Sequence, residues 1–480
     1  MTHDEISMAL QDAKRIHIMG VCGTAMGTFA GMLVERGIEV RGSDVACYPP
    51  MSDQLEALGI PVMLEYKASN LDWNPDFVVV GNVIRRTNPE AVAMRERELP
   101  HTSFPTAFSE LLLKNSHPIV VTGTHGKTTT TSLTAWLMTY ADHDPGMMVG
   151  GIPLNFGSSF RLGNGQYFVV EGDEYDTAYF DKVPKFVHYR PCTGVITNIE
   201  FDHADIYANV EAIEAEFLKF AGLLPQAGRL LYWNGCARAK RAAQNATCTI
   251  ESYGLETGDW RATQISMNED GTQFTLEHNN EQLGEFSSPL HGDYNLQNTV
   301  GALAAVISNG VAPKVAAQGL AEFKGVKKRQ EIKGTVRGVT VIDDFAHHPT
   351  AVSCVVSAIQ KRYPKGRLWC CFEVESNTSR RRIFQDAYPP AFTGAHCVLF
   401  CKPLAKADNL PEAERLSLTE VVNELQAHKI EAHVIPEVDD IVQWLTPRLE
   451  AGDVVLGISG RHFYGLHDKL LQSLSSNVPS

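Results

Sequence analysis

Short apolar runs, each closed by a glycine-rich or acidic turn, recur from one end of the chain to the other. Arg15–Met19, Ile38–Val40 and Phe77–Val80 come first; Pro118–Val121, Tyr167–Val170 and Val195–Thr197 follow. A third group comprises Val339–Ile342, Leu368–Phe372, Val398–Phe400, His433–Ile435 and Val454–Ile458. Near-continuous apolar runs of this length predict strands buried on both faces, as in a parallel sheet covered by helices. Between them lie stretches with helical spacing, such as the one through Leu33, Leu133 to Met138, and the Ala-rich segment opened by His291 to Asn298 and running through Ile307. From Gly254 to Phe286 the pattern changes to polar–apolar alternation, which predicts hairpins on a sheet edge. The pattern breaks at Lys114-Asn115-Ser116-His117-Pro118 and again at Lys327-Lys328-Arg329. We therefore divide the chain into 1–115, 116–328 and 329–480, in keeping with the roughly three domains expected from 480 residues.

The turns carry the chemistry. Gly123-Thr124-His125-Gly126-Lys127-Thr128-Thr129 joins a buried strand to a helix. Backbone N–H groups and the positive end of the helix dipole converge on such a turn and make an anion site. Lys127 supplies a point charge for terminal phosphates, and the Thr128 hydroxyl can ligate Mg²⁺. Only two residues separate Gly123 from Gly126, so the full P-loop spacing is absent. Two neighbouring strands deliver Glu171-Gly172-Asp173-Glu174-Tyr175-Asp176 and Asn198-Ile199-Glu200-Phe201-Asp202-His203 to their C-terminal ends, a supply of carboxylates and one imidazole suited to Mg²⁺ beside a triphosphate. In the first domain, Gly20, Gly23, Met26 and Gly27 lie on a turn between strand and helix, with Asp44 after the second strand and Asn82 after a later one. The G-x-x-G-x-x-x-G spacing departs from the dinucleotide fingerprint and weakens an NAD assignment, while a pyrophosphate at the helix start fits. Asp44 is placed either to contact a ribose or base or to close the turn. Asn295 is placed either to meet an adenine edge or to cap its helix.

Charge and composition narrow the partners. A net charge of −14 with scattered basic residues argues against nucleic acid. No apolar run approaches the roughly 18 residues of a membrane span, and no signal peptide opens the chain. A cytoplasmic protein is expected, with its ten cysteines, including Cys370, Cys371, Cys397 and Cys401, reduced and mostly in the core.

Taken together, the Gly123–Thr129 loop, the Glu171 loop, Asp202-His203, Asn295, Arg329 and Asp343-Asp344-Phe345-Ala346-His347-His348-Pro349-Thr350 resemble, in order, the motifs of the Mur ligases. Those are ATP-dependent amide-forming enzymes of bacterial peptidoglycan metabolism. The resemblance covers nearly the whole chain and implies an α/β fold of three domains: Rossmann-like, central P-loop ATPase-like with a parallel sheet, and Rossmann-like. It implies UDP-N-acetylmuramate on Gly20, Gly23, Met26, Gly27, Asp44 and Asn82. ATP would lie on Gly123, Thr124, His125, Gly126, Lys127, Thr128 and Thr129, with Asn295, Arg329 and Asp344. Lys127, Glu171 and His203 would be catalytic; Thr128, Glu171, His203 and Glu216 would serve Mg²⁺, Glu216 standing where many members carry a carbamylated lysine and Lys219 lying close by. Gly42-Ser43-Asp44 with Tyr48-Pro49-Pro50-Met51-Ser52, Lys185 to Tyr189, Glu200 to Asp205 and Ser376-Asn377-Thr378 are most similar to members that join L-Ala-γ-D-Glu-meso-diaminopimelate to UDP-N-acetylmuramate during recycling. L-alanine is the alternative amine, and a non-catalytic nucleotide switch or a Rossmann oxidoreductase are alternatives of other classes. The acceptor would meet Ser376, Asn377, Arg380 and Arg461, with Arg381 and Arg382 nearby. Glu375 departs from the family pattern Glu-Pro-Arg-Ser-Asn-Thr, which has arginine there.

Overall fold

A computed structural model of the protein describes residues 3–48, 51–204, 206–401 and 410–476. Pro49, Pro50 and Asp205, quoted above, lie outside the described residues. Among the described residues no helix is long and apolar enough to cross a membrane.

Three α/β sheets follow one another along the chain. The first has five parallel strands in the order Val62–Met63, Glu39–Ser43, Arg15–Met19, Phe77–Val80 and His101–Ser103. The strand order reverses beside Arg15–Met19, and the Gly20 turn lies at that switch point, where the carboxyl ends of such sheets open a crevice. The third has six strands: Glu331–Val336, Val339–Asp344, Val454–Ile458, Leu368–Phe372, Cys397–Phe400 and Glu431–Val434, antiparallel only at its first edge.

The central sheet is mixed, parallel in its core and antiparallel at the edge where the alternation of Gly254 to Phe286 predicted hairpins. It has ten strands, and its core of Thr249–Leu255, Arg229–Trp233, Thr193–Ile196, His117–Thr122, Tyr167–Gly172 and Gly146–Met148 is parallel. The alternating stretch forms Trp260–Asn268, Gly271–His278 and Glu281–Ser288, an antiparallel meander at one edge, where one face can remain wet. A short antiparallel strand, Phe160–Arg161, closes the other edge.

Ile119, Val120, Val121, Val169, Val170 and Val195 are fully buried, each contributing roughly 1.5–3 kcal/mol on transfer from water. The helix after the phosphate loop, Lys127–Tyr140, buries a run of hydroxyl residues that apolar periodicity alone would have placed at the surface. Three of these hydroxyls bond one turn back: Thr131 to the Lys127 carbonyl at 2.7 Å, Ser132 to Thr128 at 2.6 Å and Thr134 to Thr130 at 2.7 Å. Cysteine pairing corrects a second expectation. Cys22 and Cys47 are bonded, because the Gly20 turn and the segment after Asp44 bring their Cα atoms to 5.3 Å. Cys370, Cys371, Cys397 and Cys401 are buried and free, as expected.

One buried pair in the third domain makes stability depend on pH. Asp343, next to last in the strand Val339–Asp344, lies 3.6 Å from His467 of the helix Leu466–Ser476, and both are nearly inaccessible. Burial pushes the Asp343 carboxyl from 3.8 up to about 7 and the His467 imidazole from 6.5 down to about 4. The folded state thus binds an extra proton at Asp343 between pH 3.8 and about 7, so that contribution to stability falls as pH rises through this window. Asp343→Asn removes it. Thermal unfolding of variant and wild type should give a difference in favour of the variant that grows through this window and levels off above it; a pH-independent difference would show that Asp343 ionises normally.

Candidate active site

The phosphate loop is shaped by two glycines. Gly123 (φ +131°) and Gly126 (φ +81°) occupy backbone conformations that disfavour any side chain. A Cβ on Gly123 would lie 2.1 Å from Thr197 Oγ1, and one on Gly126 2.2 Å from Asn298 Oδ1. The loop is also anchored from the neighbouring strand end, since Asn198 accepts hydrogen bonds from the Thr124 N–H at 3.0 Å and the His125 N–H at 2.8 Å.

Lys127 opens the helix, and its ammonium turns back onto the loop. It donates to the Gly123 carbonyl at 2.5 Å, the Thr124 carbonyl at 3.2 Å and both oxygens of Glu174 at 3.0 and 2.8 Å. Burial opposes the lysine charge, but Glu174, Asp173 and Glu171 outweigh it and hold the ammonium above the usual lysine range. Glu174 is 1% exposed and also accepts from His203 Nε2 at 3.2 Å. Burial disfavours the imidazolium too, yet Glu174 with Asp202 and Asp173 carries His203 up to about 9. His203 adopts a left-handed backbone (φ +52°) that costs about 1–2 kcal/mol, offset by these contacts.

Glu171 faces the other side of the loop. It accepts from the Thr128 hydroxyl at 3.1 Å and the Gly150 N–H at 2.8 Å, and burial pushes its carboxyl upward against the pull of Lys127. Arg329, from the start of the third domain, donates to Thr128 Oγ1 at 3.3 Å and lies 4.8 Å over the Phe345 ring. Ligand atoms of Asp173, Glu174 and His203 lie within 4.8 Å of one another. With Thr128 and Glu171 adjacent, this mainly oxygen set with one imidazole fits Mg²⁺ or Mn²⁺. Glu216 is outside the group: its carboxylate meets Lys219 at 2.8 Å, one turn along the same helix. Glu174 is the residue that sequence reasoning passed over. Its loop offered several carboxylates, and nothing local told which one turns inward.

A cavity of 290 Å³ runs from the first domain to this group. Gly23, Thr24, Met26 and Asn82 line one end; Gly150, Glu171, Asp173 and Lys185 line the other. Gly27 faces the next helix, where a Cβ would lie 2.1 Å from Met51 Sδ. Gly20 closes the turn with its N–H on the Ser43 carbonyl at 2.8 Å. Asp44 is buried beneath the turn, accepting from the Cys22 N–H at 3.0 Å, the Val45 N–H at 2.7 Å and Tyr66 at 3.4 Å. Asn295 is likewise tied down, donating to the His291 carbonyl at 3.0 Å in its own helix start. The neighbouring Asn298, missed in the sequence, is the one against Gly126. Asp344 accepts from the Gln330 and Ala346 N–H groups, both at 2.8 Å, and so sets the junction next to Arg329.

A second cavity of 400 Å³ opens between the central and third domains, lined by Phe201, Tyr207, Arg381, Arg382, Ile383 and Glu414. Above it the Ser376 turn is cross-braced by Ser379, while Thr378 donates to Asp202 of the central domain. Asn377 is exposed and Arg380 is buried in this turn. Arg461 and Glu375 find each other at 2.7 Å, so the acidic departure from the family pattern is matched by a base from another strand end.

Comparison with known proteins agrees with this architecture. Profiles for the Mur ligase family catalytic domain, the Mur ligase middle domain and the Mur ligase glutamate ligase domain match residues 15–115, 121–306 and 328–461. The UDP-N-acetylmuramate–L-alanyl-γ-D-glutamyl-meso-2,6-diaminoheptandioate ligase of Escherichia coli K12 is 36% identical over 465 residues, covering 97% of this chain and 99% of its own. A UDP-N-acetylmuramate–L-alanine ligase of Clostridium acetobutylicum is 32% identical, with 96% and 98% covered. The crystal structure of a murein peptide ligase from Psychrobacter arcticus superposes with a TM-score of 0.72 at 35% identity, covering 97% of this chain and all of that one. Three consecutive profile matches and near-full-length similarity establish that this chain belongs to the Mur ligase family of ATP-dependent, amide-forming ligases.

Proposed function

We propose that this protein is a cytoplasmic ligase that joins L-Ala-γ-D-Glu-meso-diaminopimelate to UDP-N-acetylmuramate at the expense of ATP. The observation that carries this is the cavity running from the first domain's Gly23 turn to Glu171 and Asp173, the carboxylates beside the Lys127 loop. A nucleotide sugar lying along it presents its carboxylate to the terminal phosphate of ATP. The acceptor assignment is supported by 36% identity to a tripeptide-adding relative against 32% to an alanine-adding one. It is also supported by Arg381 and Arg382 in the second cavity, where the carboxylates of a tripeptide call for guanidinium groups.

A free carboxylate does not acylate an amine at neutral pH, because oxide is too poor a leaving group. Transfer of the γ-phosphoryl group to the carboxylate gives an acyl phosphate and ADP; attack by the acceptor amine then forms the amide and releases phosphate. The chain's task is positioning and charge neutralisation. Lys127 leaves Glu174 for the arriving phosphate, and Glu174 keeps His203 in place. Arg329 adds a second positive group from the third domain, so the nucleotide is enclosed when that domain seats. Asp173, Glu174 and His203, with Thr128 and Glu171 adjacent, would hold Mg²⁺, which when bound offsets phosphate charge.

Lys127→Ala should lower amide formation by roughly 10²–10³-fold while leaving UDP-N-acetylmuramate binding intact in calorimetry; near wild-type turnover would overturn the assignment of the loop. Glu171→Gln or His203→Ala should raise the Mg²⁺ concentration needed for half-maximal activity. An unchanged Mg²⁺ titration for both would reduce them to strand-end residues. In acceptor competition, the tripeptide should be used far more efficiently than L-alanine, and Arg381→Glu should raise the KM for tripeptide about tenfold with the KM for ATP unaltered. Equal or better turnover of L-alanine would hand the assignment to the alanine-adding branch.

A further inference from the structure

Cys22 belongs to the turn that meets the first cavity, between the strand Arg15–Met19 and the helix Thr24–Glu35. Gly23 and Thr24, its immediate successors, line that cavity. Cys47 lies three residues beyond Asp44 on a segment without regular structure, beside Val45 and Tyr48, which are 72% and 73% exposed. Both cysteines are half-buried and so within reach of small reagents. Their Cα separation of 5.3 Å needs no backbone movement for a bond. Cys22 also sits at the positive end of a helix, a favourable place for an attacking thiolate. The other cysteine cluster contrasts with this pair: Cys397 and Cys401 are inaccessible, and burial pushes both thiols up to about 12.

We propose that Cys22 and Cys47 form a reversible thiol–disulfide modification site that weakens binding of the nucleotide sugar when oxidised. This rests on the first domain taking UDP-N-acetylmuramate. The Cys22 thiolate attacks a low-molecular-weight disulfide such as oxidised glutathione, releasing one glutathione thiolate and leaving a mixed disulfide. The Cys47 thiolate then attacks the Cys22 sulfur and expels the second glutathione. Two electrons pass from the protein thiols to the glutathione disulfide, and the two thiol protons end on the two released glutathiones. A reducing dithiol reverses the sequence. In the bonded state, residues 45–48 are tied to the turn and Asp44 is engaged by the Cys22 and Val45 N–H groups. That segment cannot then readjust around an incoming nucleoside. The ATP loop, on a different sheet, is not touched by the bond.

The test uses the full-length enzyme equilibrated in glutathione buffers of graded redox ratio. Alkylation and peptide mass spectrometry report the state of each cysteine, and steady-state kinetics report both KM values. Oxidation should convert Cys22 and Cys47 together and raise the KM for UDP-N-acetylmuramate about fivefold or more, with the KM for ATP changed less than about twofold. A dithiol should restore both. The double variant Cys22→Ser/Cys47→Ser should match the reduced enzyme and ignore the redox ratio, whereas Cys192→Ser, at a distant free thiol, should respond like wild type. The proposal fails if no Cys22–Cys47 bond forms in these buffers, if KM is the same in both states, or if the double variant responds like wild type. Failure of the underlying substrate assignment is distinguishable: the fully reduced enzyme would then show no saturation with UDP-N-acetylmuramate.

Discussion

A buried ammonium needs a counter-charge, and the site is arranged around meeting that need. Lys127 is enclosed by its own loop carbonyls, and Glu174 supplies the missing charge from a strand end 47 residues away in sequence. Because Glu174 also binds His203, one carboxylate couples the phosphate loop to the adjacent strand end. Removing the acid would strand a desolvated cation, a penalty of several kcal/mol for a buried charge. The arrangement is therefore self-supporting before any nucleotide arrives, and phosphate oxygens can take the place of the glutamate without leaving the lysine bare.

The same economy governs the junction between the second and third domains. Arg329 reaches Thr128, Thr378 reaches Asp202, His348 shares a hydrogen bond with the Phe201 carbonyl at 3.1 Å, and Gln330 bonds the Tyr294 hydroxyl at 2.6 Å. Most of these groups are polar and little exposed, so each bond replaces water that the other domain has expelled. His125, Glu200 and His348 also converge there, but they are already engaged: Glu200 pairs with His125 at 3.1 Å, and His348 Nδ1 caps its own helix by accepting from Thr350. We read that trio as part of the seam between domains. Seating of the third domain thus places Arg329 against Thr128 at the start of the Lys127–Tyr140 helix, and under the proposed function it would tie nucleotide binding to domain seating.

Glu375 shows how a departure from a family pattern can be absorbed. Its side chain is 9% exposed and would be costly to bury alone, yet Arg461 from the loop after Val454–Ile458 lies at 2.7 Å. Acid and base thus face each other from two strand ends, and Arg381 and Arg382 are the basic residues that line the second cavity.

The sequence by itself determined the element types and where the turns carry charge. Arg15–Met19, Phe77–Val80, Leu368–Phe372 and Val454–Ile458 run as the apolar pattern predicted, because burial on both faces of a parallel sheet leaves a continuous local signature. The phosphate loop was equally legible, since its glycines answer to backbone angles set within a few residues. Only the tertiary structure decided which polar groups meet. It chose Glu174 to hold Lys127, set Asn298 against Gly126, turned Glu216 to Lys219, sank Asp44 beneath its turn and joined Cys22 to Cys47. Those choices depend on distances of a few ångströms between strand ends, such as the 3.3 Å from Arg329 to Thr128 across 201 residues of chain. Local patterns of apolar and polar residues do not encode such distances; the stacking of the three sheets does.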